Sequence, residues 1–143
     1  MKLKFILTLI LIIFIIGCKP KEVALDDPTG DIQKIQRVLS SQCNALMNKN
    51  LNVYLNTIDD SDAQYYNDAK KTTSELLSVG EFTKFQVKIT NVNFNEDYSQ
   101  AEVFALIDFI FKSDVIGTIK KSKEKEQLFF KKISGQWKES EKE

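Results

Sequence analysis

The spacing of apolar residues changes once along this chain, at Gly80. Before it they recur every three or four positions, and after it every second position. The first spacing suits a helix with one buried stripe and the second a strand with one buried face. Helices come first and strands follow, and such segregation defines an α+β domain.

On the helical side, Ile32, Ile35, Leu39, Cys43 and Leu46 form one stripe, which predicts a helix of about four turns. Asn48-Lys49-Asn50 breaks it. Leu51, Tyr54, Leu55 and Ile58 give a short second helix. Ser61 with Gln64 reads as a capping box, opening a third helix with Tyr65, Ala69, Thr72, Leu76 and Val79 inward and Gly80 as its stop.

On the strand side, Phe85, Val87 and Ile89 alternate with polar residues, and then the parity slips so that Val92 and Phe94 are the apolar ones. A slip of one residue is what a β-bulge produces, so the strand is expected to bend near Thr90-Asn91. Asn95 to Ser99 is the turn. Gln100 to Phe111 is apolar on both faces: Ala101, Val103, Ala105, Ile107, Phe109 and Phe111 on one, Phe104, Leu106 and Ile110 on the other. A single layer of helices covers one face only. Either the sheet curls over an internal pocket, or Phe104, Leu106 and Ile110 meet another subunit. Lys112 to Glu126 reads as a strand break followed by a Lys-rich edge or hairpin arm, with contact to anionic lipid headgroups as the functional alternative. Leu128 to Ile133 and Gln136 to Lys138 close the sheet, and the tail Glu-Ser-Glu-Lys-Glu is expected to fray. The expected fold is three N-terminal helices on a strongly curved, bulged antiparallel sheet of about four strands.

The first residues carry an address. Lys2 and Lys4 precede a 12-residue run, Phe5 to Ile16, that only Thr8 interrupts. This is signal-peptide grammar, and the run is shorter than the roughly 18 residues a membrane span needs. Removing it leaves 18 basic against 20 acidic residues. A nucleic-acid binder shows a basic excess, so DNA and RNA are excluded as partners. Of the basic residues only Arg37 is arginine.

The residue inventory limits the chemistry. There is no histidine, so neither a His-ligated metal nor an imidazole base is available. Cys43 lies in the helical stripe and reads as a small buried apolar residue, not a nucleophile. Asp59, Asp60 and Asp62 lack the glycine and the terminal glutamate of a calcium loop and read as capping acids at a helix junction. No metal and no cofactor is expected.

Ile15-Ile16-Gly17-Cys18 resembles the lipobox of bacterial lipoproteins. The resemblance implies cleavage after Gly17 and a diacylglyceryl thioether on Cys18, which holds the chain on the outer side of the cell membrane. Two acyl chains anchor stably where one does not. It divides the chain into a signal peptide (1–17), a lipidated Cys with a Pro-broken tether (18–30) and one domain (31–143). From Asp31 to Lys138 the order of elements, the short helix at Leu51, the long strand Ala101 to Phe111 and the closing Leu-Phe-Phe-Lys-Lys-Ile-Ser-Gly-Gln-Trp-Lys resemble the nuclear-transport-factor-two-like superfamily, including its small lipoproteins of Gram-positive bacteria. That resemblance implies a cone, a bent sheet round a long helix with a pocket at its open end. Its enzymes pair an Asp with a His or Tyr, for which this chain offers Tyr54, Tyr65, Tyr66 and Asp108; Asp108 shares the face of Phe104 and Leu106, opposite the helices.

Three functions are carried forward. The first is a non-enzymatic, membrane-anchored binding or protein-interaction module, with a homodimer through Phe104, Leu106 and Ile110. The second is a pocket for an apolar small molecule lined by Tyr54, Leu55, Tyr65, Phe85 and Trp137. The third is an isomerase- or dehydratase-type enzyme, which requires an acid and a Tyr in contact inside the cone.

Overall fold

A computed structural model describes residue 27 and residues 29–142. The signal segment, Cys18 and most of the tether lie outside the described residues. Three helices are followed by four strands: α1 (Asp31–Met47), α2 (Leu51–Leu55), α3 (Ala63–Val79), β1 (Glu81–Phe94), β2 (Gln100–Ser113), β3 (Gly117–Ile133) and β4 (Gln136–Ser140). The strands form one antiparallel sheet in the order β1-β2-β3-β4. The α+β class, the three helices and the four-stranded curved sheet are as the sequence predicts.

Bulges explain the curvature. The β1–β2 register shifts at Thr83 and at Thr90. A third shift lies opposite Asp108 in β3, where Lys123 has φ 52° and its N–H donates to Asp108 Oδ1 at 3.2 Å. Each extra residue bends its strand and adds twist. At the β3–β4 turn, Ser134 and Gly135 both have positive φ, which matches a two-residue hairpin to the twist of its strands.

The helices pack on the concave face, where two clusters form. Ile35 and Leu39 of α1 meet Ile89, Ala101, Val103, Phe130 and Trp137. Farther along the same helix, Leu46 meets Leu77, Phe82 and Phe111. Ala101, Val103 and Ala105 of β2 are all buried, and α1 approaches the sheet most closely along β1. Gly80 allows a close approach of another kind, since a Cβ there would strike the Phe111 ring and the Lys112 carbonyl. Gly80 stops α3 as expected, with a φ of −171° that is ordinary extended backbone.

Several sequence expectations need correction. Asp62, not Ser61, caps α3: its side chain accepts from the N–H groups of Gln64 and Tyr65, and Ser61 is held by Asp59. The buried stripe of α3 is centred on Thr73 and Leu77, one position on from Thr72 and Leu76. The second helix stops at Leu55, because Ile58 leaves it to pair with Glu139 in a parallel bridge. As expected, a turn at 114–116 precedes a Lys-rich hairpin arm, but that arm runs without interruption into Leu128 to Ile133: Gly117–Ile133 is one strand of 17 residues. The tail does not fray at Glu139, which lies inside β4.

Candidate functional site

The first polar site on the concave side sits where α1 begins. Asp31 is 2% exposed and its carboxylate accepts from Trp137 Nε1 at 3.1 Å, Lys34 Nζ at 3.1 Å and Lys132 Nζ at 3.2 Å. Burial alone would push this carboxyl up, but the hydrogen bonds from Trp137, Lys34, Lys132 and Thr29 together hold it well below the ordinary range. Lys132 also lies 4.8 Å from the centre of the Trp137 ring. Upstream, Asp27 accepts from the N–H groups of Ile32 and Gln33 at 3.0 Å each, so the start of α1 is satisfied from outside the helix. Every donor finds its acceptor within the fold, and this cluster pins the helix to β3 and β4.

The second site is two residues along β4. Glu139 is register partner of Phe130, on the face turned to the helices. Gln42 Nε2 of α1 donates to Glu139 Oε2 at 2.7 Å, and Tyr65 of α3 hydrogen-bonds the same carboxyl. The Glu139 backbone N–H donates to Thr57 O at 2.8 Å and its carbonyl accepts from Asp59 N at 2.7 Å. Burial pushes the Glu139 carboxyl up, and the bonds from Gln42 and Tyr65 only partly offset this. Burial and the nearby Glu139 likewise push the Tyr54 and Tyr65 hydroxyls up. Tyr54 is further bonded to Thr73. Glu139 is thus an acid in contact with a tyrosine, drawn from β4, α1 and α3. Its position in a charged tail with no apolar period is why sequence reasoning missed it. The one available signal is its place two residues after Trp137, on the same face of the strand.

The residues expected to line a pocket are distributed over the interior. Trp137 belongs to the first core cluster, with Asp31 on its indole nitrogen. Phe85 and Tyr54 pack against the second cluster, where Phe85 stacks on Phe109 at 5.7 Å between ring centres. Leu55 is buried in α2, and Tyr65 faces Glu139. Two open surface grooves, of about 250 and 570 Å³, lie elsewhere, along Asn93, Gln100, Phe129 and Ser140 and along Lys49, Gly80, Lys112 and Asp114. Neither is lined by any of those five residues. Cys43 is buried in α1 with its thiol pushed up to about 11 by that burial. Among the described residues no group of acids, Cys or His is arranged to hold a metal.

The outer side of the sheet differs. Phe104, Leu106 and Ile110 point away from the helices, are half-buried, and belong to neither core cluster. Asp108 lies among them, where its carboxylate holds the β3 bulge and stands 4.0 Å from Lys84.

No family model matches this chain, and no curated protein does. Solved structures do. A ketosteroid isomerase-like protein from Erwinia carotovora atroseptica superposes with a TM-score of 0.62 at 11% identity, over 78% of this chain and 92% of that one. A proposed dehydratase of the nuclear-transport-factor-two-like family from Streptomyces avermitilis gives 0.59 at 10% identity, over 80% and 95%. The chain has the nuclear-transport-factor-two-like fold. A proposed calcium/calmodulin-dependent kinase II association domain from Exiguobacterium sibiricum, with TM-score 0.60 at 13% identity over 81% and 92%, shares it. At such identities the likeness speaks for fold alone. Among the described residues no helix is long and apolar enough to cross a membrane.

Proposed function

We propose that this protein is a lipoprotein anchored through Cys18 on the outer face of the cell membrane, and that its domain is a non-enzymatic binding module working through the outer side of its sheet. The observation that carries this reading is the parity of β2. Of its inward residues, Ala101 and Val103 belong to the first core cluster and Phe111 to the second, with Phe109 packed against it, while Phe104, Leu106 and Ile110 belong to neither. Apolar side chains left outside a folded core mark contact surfaces. The anchor rests on the sequence Ile15-Ile16-Gly17-Cys18 behind its apolar run. Intact mass spectrometry of the full-length chain expressed in a bacterium tests it. The expected product begins at Cys18 and carries diacylglycerol, and Cys18→Ala abolishes the modification. A chain that still begins at Met1, or an unmodified Cys18, overturns the anchor.

One observation favours a second reading, an isomerase- or dehydratase-type enzyme. Glu139 and Tyr65 are the acid–tyrosine pair such chemistry uses, and burial pushes both groups up. A substrate must reach that pair, and neither groove described above touches it. Native mass spectrometry of the purified protein decides: a retained small molecule that Glu139→Gln releases supports the enzyme reading, and a bare protein mass supports the module.

A further inference from the structure

The outer face is organised by charge as well as by apolarity. Phe104, Leu106 and Ile110 run along β2. On one side, Lys88 and Lys84 of β1 are the register partners of Leu106 and Ile110. On the other, Lys125 and Lys120 of β3 are partners of the same two residues. All four lysines are exposed. Leu106 and Ile110 therefore each have a lysine as register partner on both neighbouring strands, and the Lys84 ammonium lies 4.0 Å from Asp108 Oδ1.

The alternation Lys123-Glu124-Lys125-Glu126 now has a physical meaning. Lys125 pairs with outward Leu106, whereas Glu124 and Glu126 pair with inward Ile107 and Ala105. Among the lysines of this strand, Lys120 and Lys125 are partners of outward residues, whereas Lys121 is the partner of inward Phe109 and Lys132 bonds Asp31. Three acids of the sheet lie on this side: Asp108, engaged by the Lys123 N–H and 4.0 Å from Lys84, Glu102, bonded by Asn93 and Gln127, and Glu81, the register partner of Lys112.

We propose that this face docks on an anionic lipid bilayer, with the lysines on headgroup charge and the apolar line against the interface. The choice of a bilayer rests on the proposed anchor at Cys18, which keeps the domain beside one. From Cys18 to Asp27 the chain can reach roughly 30 Å when extended, enough for a domain of this size to turn a chosen face to the membrane. A second copy is a poor occupant. Both flanks are basic, so a two-fold axis along or across the strands sets lysine on lysine, which opposes association. Whole-molecule attraction does not serve either, because without its first 17 residues the chain has 18 basic and 20 acidic residues.

Co-sedimentation tests this with the chain from residue 18 onward carrying Cys18→Ser, which retains every described residue and has no acyl group. The expected result is binding to phosphatidylcholine vesicles that contain phosphatidylglycerol, none to pure phosphatidylcholine, and loss of binding at high salt. Each of Lys84→Gln, Lys120→Gln and Lys125→Gln should weaken binding about fivefold, while Lys70→Gln with Lys71→Gln on the exposed side of α3 leaves it unchanged. Circular dichroism confirms that the variants are folded. Three results overturn the proposal: no vesicle binding, equal weakening by the α3 lysines, or a dimer on sizing that Leu106→Asp dissociates. An unacylated Cys18 in the mass measurement above removes the anchor without touching this result, and failure of vesicle binding leaves the anchor standing.

Discussion

Val103 and Phe104 are neighbours in β2, yet they live in different environments. Val103 has no exposed surface and touches α1, Phe130 and Trp137 through the first core cluster. Phe104, though larger, is half-buried and joins no cluster. The same strand thus holds the fold together with one set of residues and leaves the other set outside both core clusters. The contrast extends to polar groups. Inside, Asp31 and Glu139 are each bonded by side chains from other elements. Outside, lysines stand exposed on both flanks of an apolar line.

The sharpest way to break this comparison is to put the same charge on both neighbours. Val103→Asp buries an unpaired carboxylate and should cost about 4 kcal/mol or more. Phe104→Asp faces water and should cost about 1 kcal/mol. Urea unfolding measures both, and equal losses would mean that the two faces do not differ as described. Next in size is Asp31→Ala, which strands the Trp137 indole and the Lys132 ammonium. Breaking a buried charge network of this kind costs about 3 kcal/mol, again read by urea unfolding, and an effect below about 1 kcal/mol would remove the cluster from its anchoring role.

A smaller effect carries a definite sign. Burial raises the Glu139 carboxyl in the folded state. A raised acid contributes stability in full below its ordinary value of 4.5 and loses it as pH rises through the folded value. Glu139→Gln keeps an acceptor for Gln42 and removes that loss. The variant should therefore match the parent in thermal stability near pH 4 and exceed it near pH 8. The opposite slope would show that the carboxylate is stabilised by its partners. Smallest of all, Leu106→Thr should change stability by about 1 kcal/mol or less while reducing vesicle binding, which separates the surface role from the structural one.

How much of this was readable in the sequence follows from where apolar residues alone carry the signal. The helix-to-strand switch at Gly80 and the slip at Thr90-Asn91 are shifts in apolar period, and both appear in the structure. The Lys-rich part of β3 was readable as a hairpin arm, but its continuity with Leu128 to Ile133 was hidden because charged residues carry no apolar period: Lys120 and Lys125 pair with outward residues and Lys121, Glu124 and Glu126 with inward ones. Glu139 was hidden because its burial depends on Gln42 and Tyr65, which are 97 and 74 positions away, and no local pattern reports such a meeting. Ile58 misled for a related reason. Its spacing from Leu51 and Leu55 is helical, but its backbone joins the edge strand β4. On the outer face, Phe104, Leu106 and Ile110 were visible at once as apolar residues without cover. Their basic flanks needed the register of three strands.

The most direct test of a filled inner face and a proposed docking face on the outside is hydrogen–deuterium exchange of the chain from residue 18 onward carrying Cys18→Ser, with phosphatidylcholine vesicles that contain or lack phosphatidylglycerol. Protection of segments 104–110 and 118–125 by anionic lipid, with no change along α1, is the predicted outcome. Protection confined to α1 and β4, or no lipid-dependent change anywhere in β2 and β3, would contradict it.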